Sequence, residues 1–285
     1  MSRCAPSTVG LLLLCWLLVL LGCRRDEDCL NTNAASRLEV GRSSDKNGQR
    51  DDLPGECEET AAYWRRQLTD TGRAIVCPPF VMAGDLEESA LRAWCDQVVY
   101  PAAMALAERY FKKPAVRPVS ILLFHDETTY RSEAKRLFVT GEISRHGFFV
   151  PHLNTVVLNA AAGRPALLHE LTHALLAFDF PDAPAWLREG LATLHEDCQI
   201  DPASAGLAIR PEARRRTLQV ALENGQLPSL ESLLRKPQFQ GPEAPVYYAL
   251  ARHFCLFLDR QAALAPVYRA IRAGKGGGAD NAATI

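Results

Sequence analysis

The sequence predicts an α+β domain, mainly helical, with a small sheet ahead of its principal helix and a helical lobe behind it. Three observations carry this. Apolar residues recur at helical spacing over 85–112, 165–176, 184–196, 210–224 and 246–258. Short β-branched and aromatic runs at 118–124, 147–150 and 155–158 read as strands. The apolar content, 48 %, is enough for a packed core, and no internal repeat interrupts it.

Taken in order, the chain begins with a targeting segment. Arg3 precedes the apolar run Leu11 to Leu21, which has the length of a signal-peptide core. The run ends in Leu20-Leu21-Gly22-Cys23, which resembles the lipobox of bacterial lipoproteins. That resemblance makes residues 1–22 a signal peptide and Cys23 a lipidated first residue. The chain would then be exported and anchored to a membrane of the cell envelope. Arg24 stands where an aspartate would mark inner-membrane retention, which favours the outer membrane in a cell with two. The alternative is an uncleaved N-terminal anchor, for which eleven apolar residues are short. Residues 23–55 are polar and read as a flexible tether. Residues 56–273 form one domain or two closely packed lobes, and the Gly- and Ala-rich residues 274–285 read as a disordered tail.

The formal net charge is -1, and no basic stripe with interleaved aromatics occurs, so nucleic acid is not an expected partner. The run Arg214 to Arg216 reads as a solvated helix face. Six cysteines follow Cys23: Cys29, Cys57, Cys77, Cys95, Cys198 and Cys255. An exported chain permits three bridges among them, with fifteen pairings open. Cys57, Cys77 and Cys95 could tie down the segment ahead of the core, and Cys198 could pair with Cys255. No close CxxC pair suggests a cysteine-ligated zinc.

Leu91, Trp94, Val98, Ala102, Ala105 and Leu106 form one helical stripe, which Pro101 either kinks or divides. The strand 118–124 follows, then Asp126-Glu127-Thr128 opens a helix to about Phe138. Strands 147–150 and 155–158 are joined by the turn Pro151-His152-Leu153-Asn154. Gly163-Arg164 then reads as a turn and Pro165 as the first helical position.

This helix carries His169-Glu170-Leu171-Thr172-His173, an HExxH pattern. Residues four apart share a helix face, so His169 and His173 can hold one ion from consecutive turns. Glu170 lies about 100° round the helix. It borders the same opening without being forced onto the ion, which suits a carboxylate that takes a proton from water. Leu167, Leu168, Leu171 and Leu175 fall on the opposite face and would pack, while Ala166 and Leu176 flank the histidines. HExxH is short and arises by chance, but a Glu between two His on an apolar helix is costly without a partner.

A second helix begins near Pro184 and carries Trp186-Leu187-Arg188-Glu189-Gly190-Leu191-Ala192. Fifteen residues lie between His173 and Glu189, enough to turn and return beside the first helix. Gly190 would let these two helices approach and bring Glu189 to the ion. Two His and one Glu leave a tetrahedral zinc one open position. Imidazole and carboxylate also suit other divalent metals.

HELTHALL followed by PAWLREGLA resembles the gluzincin branch of zinc metallopeptidases, and most closely the bacterial peptidase MA-like domains. The resemblance spans roughly 85–260, its specific part being the two motifs. It implies a zincin-like fold, Zn2+ held by His169, His173 and Glu189, and Glu170 as the base. It implies a peptide or protein substrate, and a strand edge beside the metal that pairs with it near Val150 or Val157. One departure stands out: the acidic residue that orients a ligand histidine one turn after the glutamate is here Thr193.

Past Glu196 the sequence gives a helix over 210–224 stopped by Gly225, a helix start at Pro228-Ser229-Leu230-Glu231, and a final long helix over 246–258. Tyr247 and Tyr248 on that helix are candidate donors to a developing oxyanion, or core tyrosines with a satisfied hydroxyl. Two other functions fit the same sequence. One is an envelope binding or assembly module without catalysis. The other is a zinc hydrolase of a non-protein substrate.

Overall fold

The computed structural model describes residues 52–69, 71–138, 143–201 and 206–274. The apolar leader, Cys23, Cys29, most of the tether and the tail residues 275–285 lie outside the described residues. Among the described residues no helix is long and apolar enough to cross a membrane.

Helix α1 (Leu53–Gln67) starts inside the last residues assigned to the tether, with Pro54 in its first turn. Strands β1 (Arg73–Cys77) and β2 (Phe80–Gly84) follow as an antiparallel pair. Neither strand is evident in the sequence, because Pro78-Pro79 splits the apolar run that they share. Next come α2 (Glu88–Trp94), a π-helical stretch Cys95–Val99 and α3 (Tyr100–Arg109). The π stretch resolves the kink expected at Pro101. Proline has no N–H to give the carbonyl one turn back, and the wider turn absorbs the mismatch.

β3 (Val119–Phe124) and α4 (Glu127–Leu137) form as expected, the latter capped by the Asp126 carboxylate, which accepts from Thr129 N at 2.8 Å. β4 (Gly147–Val150) and β5 (Thr155–Asn159) are antiparallel, and Asn154 takes a left-handed conformation (φ 48) between them. The sheet order is β1-β2-β3-β5-β4, with β2, β3 and β5 mutually parallel. All six β3 residues are buried, as expected of a strand covered on both faces.

One face packs Val81, Leu122 and Phe124 under Trp64 of α1 and Tyr130 of α4. The Trp64 indole donates to the buried Ser120 hydroxyl at 2.8 Å, so neither polar atom is stranded. The other face packs Met82, Ile121 and Val156 against the leucines of α5 (Gly163–Asp179), and Leu167, Leu168, Leu171 and Leu175 are all buried. Behind α5 lies α6 (Ala185–His195), which begins directly after Pro184.

The hairpin β6 (Gln199–Asp201) and β7 (Gly206–Ala208) was not expected. α7 (Arg215–Glu223) starts later than 210, because Arg214 turns the chain through a left-handed conformation (φ 61). α8 (Leu230–Arg235) is capped by Ser229, and α9 (Ala244–Arg260) is not the last helix, since α10 (Leu264–Arg272) follows. α10 returns to the end of α5. The buried Asp179 carboxylate accepts from Lys112 N, Lys113 N and the Tyr268 hydroxyl, at 2.9, 2.7 and 2.6 Å, and pairs with Arg272 at 2.8 Å.

Two expectations need correction. Gly190 faces α9, not α5: a Cβ there would sit 2.5 Å from the Cys255 Sγ and 3.1 Å from the Ala251 carbonyl oxygen. The glycine therefore seats α6 against α9. Nor do the disulfides form among the described residues: Cys57, Cys77, Cys95, Cys198 and Cys255 are free and buried. Cys57 lies in the core on one side of the sheet and Cys77 and Cys95 on the other. Cys255 fills the notch left by Gly190 rather than meeting Cys198.

His195 closes α6 in the core, 1 % exposed. Its Nδ1–H donates to the Leu191 carbonyl at 2.8 Å, and Nε2 faces the Tyr110 hydroxyl at 3.5 Å. Burial, reinforced by Arg109 and Arg252 and opposed by the Leu191 bond, pulls its pKa down to about 4. The unfolded chain binds this proton near pH 6.5, so the contribution to stability is complete above 6.5 and is lost as pH falls toward 4. Acid titration of unfolding free energy should show a drop of about 3 kcal/mol from this group across that window. His195→Leu should flatten the curve there; an unchanged slope would show that the ring is charged in the fold.

Candidate metal centre

The turn after α5 is short, and α6 returns beside the helix that it left. His169 and His173 project from consecutive turns of α5, and Glu189 meets them from the second turn of α6. The two Nε2 atoms are 3.2 Å apart. The Glu189 Oε2 lies 3.3 Å from His173 Nε2 and 3.9 Å from His169 Nε2. Zinc with bonds of about 2.0–2.1 Å spaces its ligands roughly 3.4 Å apart in a tetrahedron. The three atoms thus stand near the corners that one divalent ion would impose, and they form a compact metal-competent group. Burial alone would raise the Glu189 carboxyl, but the hydrogen bond and charge of His173, with His169 and Arg188, bring it down to about 2. It is an anion throughout the physiological range.

His169 has an acidic partner, though not where the sequence suggested. Its Nδ1 lies 3.2 Å from the Glu196 Oε2, and Arg214 donates to both oxygens of that carboxylate, at 2.7 and 2.9 Å. Burial raises Glu196, and the bonds from His169 and Arg214 outweigh it and bring it down to about 2. Thr193 instead turns inward, its hydroxyl donating to the Glu189 carbonyl at 2.6 Å. Glu196 stands seven residues after Glu189, two turns along one face. That spacing was the available signal. Arg214 was not a solvated residue, as the run of three arginines implied; only Arg215 and Arg216 are exposed. The Nδ1 of His173 is buried without a hydrogen-bond partner.

Glu196 fixes the ring that would face the ion, so Glu196→Gln should weaken zinc binding about 10- to 100-fold. Competition with a calibrated chelator measures this. An affinity within twofold of wild type would reduce Glu196 to a bystander.

The group opens onto a cleft of about 930 Å³ that follows α5 along its length. Glu170 lines it beside the histidines, and Ala166 and Leu176 flank them as anticipated. The facing wall is β4, which lies at the sheet edge with one side unpaired in the sheet. Val157 is not available for strand pairing, since β5 is bonded to β3 and β4 on its two sides. His152 is exposed and outside the cleft; His146 lines it instead.

The two tyrosines part company. Tyr248 lines the cleft, with the Arg214 guanidinium 5.8 Å from its ring centre. Burial, aided by Glu189 and Glu170, pushes its phenol up to about 12, so it stays protonated as a donor. Tyr247 points away. Its hydroxyl shares a 2.7 Å hydrogen bond with Ser232, and its ring lies under Lys236.

No family model matches the chain, and no curated protein matches it either.

Proposed function

We propose that the chain is a zinc-dependent peptidase of the gluzincin type, with a zincin-like fold, acting at the cell envelope. The observation that supports this best is the convergence of His169, His173 and Glu189 at tetrahedral spacing, with Glu170 beside them in an open cleft. The pattern Leu20 to Cys23 adds export and a lipid anchor to the same reading.

Bound zinc would supply Lewis acidity, polarising the scissile carbonyl and lowering the pKa of water. The protein's own groups do the rest. Glu170 accepts the proton of the attacking water and returns it to the leaving amine. Tyr248 donates its phenol hydrogen to the oxyanion that develops on the carbonyl. The free edge of β4 pairs with the main chain of an extended substrate and sets its register. Glu196, clamped by Arg214, holds His169 in one orientation.

The test is metal content followed by a cleavage screen. The chain purified with zinc offered should retain one zinc per molecule by mass spectrometry, and that sample should cut unstructured peptides in a mixed library. A chain that retains no zinc would sink the reading.

A further inference from the structure

Two arginines face the cleft, and they are employed differently. Arg214 spends Nε and Nη2 on Glu196. Arg188 gives Nε to the Glu189 Oε1 at 3.1 Å and reaches the Ala183 carbonyl only at 3.5 Å through Nη1. Its Nη2 makes no hydrogen bond among the described residues, and the side chain is 35 % exposed where it lines the cleft.

The two ends of the cleft differ in charge. At the start of α5 stand Glu196 and Asp197 with Arg214. At its end the lining is Leu176, Ala177, Phe180 and Pro181, with Arg188 as the cation. Glu189 is the acidic residue of the lining next to it, and that carboxylate turns Oε2 toward the histidines and Oε1 toward Arg188. An ion on Oε2 therefore leaves the Arg188 contact in place. The guanidinium would still line the same end of the cleft as these apolar residues, one residue along the chain from a metal ligand.

We propose that Arg188 reads a carboxylate of the substrate, held at this end of the cleft beside the bond that is cut. The inference rests on the peptidase reading of the same cleft and adds the substrate class. A planar guanidinium with free N–H groups matches a carboxylate. The carboxylate belongs either to the substrate's C-terminus or to an Asp or Glu side chain. Phe180 and Leu176 favour an apolar side chain next to it.

The test uses the full chain loaded with zinc. Three peptides share one sequence: the first ends in a free Phe carboxylate, the second in Phe amide, and the third in an amide with Glu replacing Phe. Wild type should prefer a carboxylate-bearing peptide about 10- to 100-fold in kcat/KM. Cleavage of the first alone assigns the terminal carboxylate, and cleavage of the third assigns the side chain. Arg188→Gln should bring the ratios within about twofold of one. A partial loss of zinc lowers all arms alike and leaves the ratios readable. Binding is measured separately by calorimetry on zinc-loaded Glu170→Gln, with N-acetyl-phenylalanine, its amide and N-acetyl-glutamate amide as probes. A carboxylate-bearing probe should bind tighter than the phenylalanine amide, and adding Arg188→Gln should remove the difference. Equal handling of all three peptides by wild type, or a preference that survives Arg188→Gln, overturns the inference. Cleavage without preference leaves the peptidase standing alone. Arg188-dependent binding without any cleavage leaves the carboxylate site and removes the peptidase.

Discussion

Glu170→Gln should lower the proposed peptide hydrolysis by about 10³-fold and leave zinc at one per chain. The residue lines the cleft next to His169 without belonging to the metal-competent group. Glutamine keeps the shape and a hydrogen-bonding oxygen but cannot accept and return a proton, so it removes the general base alone. General acid–base contributions of 10²–10⁴ set the size of the loss. Initial rates on the best library peptide and metal analysis on the same sample check both halves. Retention of more than a tenth of the activity would assign the proton transfer elsewhere. Equal loss of zinc and activity would mean that Glu170 supports the ligands rather than the chemistry.

Asp179→Ala should remove about 3–5 kcal/mol of stability. Its side chain is fully buried at the last position of α5 and meets groups from two distant places in the chain. Two backbone amides after α3, a phenol and a guanidinium from α10 converge on it. Alanine strands all of them, and the half-buried Arg272 loses its counter-charge. For a domain of this size the melting temperature should fall by about 10 °C. Asp179→Asn, which keeps one acceptor but turns an NH₂ toward donors, should fall between. Denaturant titration of the three proteins measures the series, and a loss under 1 kcal/mol for alanine would show that water replaces the carboxylate freely.

What the sequence disclosed follows from how local each cause is. The α5 site was legible because spacing on one helix fixes direction: His169 and His173 must share a face, and the leucines must take the other. Glu189 was legible because a short turn returns the chain beside its predecessor. Arg214 was hidden, since its reach to Glu196 depends on one left-handed residue that reads in sequence as part of a basic helix. The role of Gly190 was misassigned for a related reason. A missing side chain announces a close approach without saying to what, and the neighbour proves to be α9, far along the chain. The strands β1 and β2 were hidden by the prolines between them, and the cysteines by a fold that distributes them over both sides of the sheet.

The seating of α6 on α9 has a bearing on timing. A chain made from its N-terminus carries both motifs well before the residues that support Glu189 from behind have been synthesised. Until Ala251 and Cys255 arrive, α6 has only α5 to pack on and lacks the helix that backs Glu189. A nascent chain therefore holds both motifs without a formed cleft.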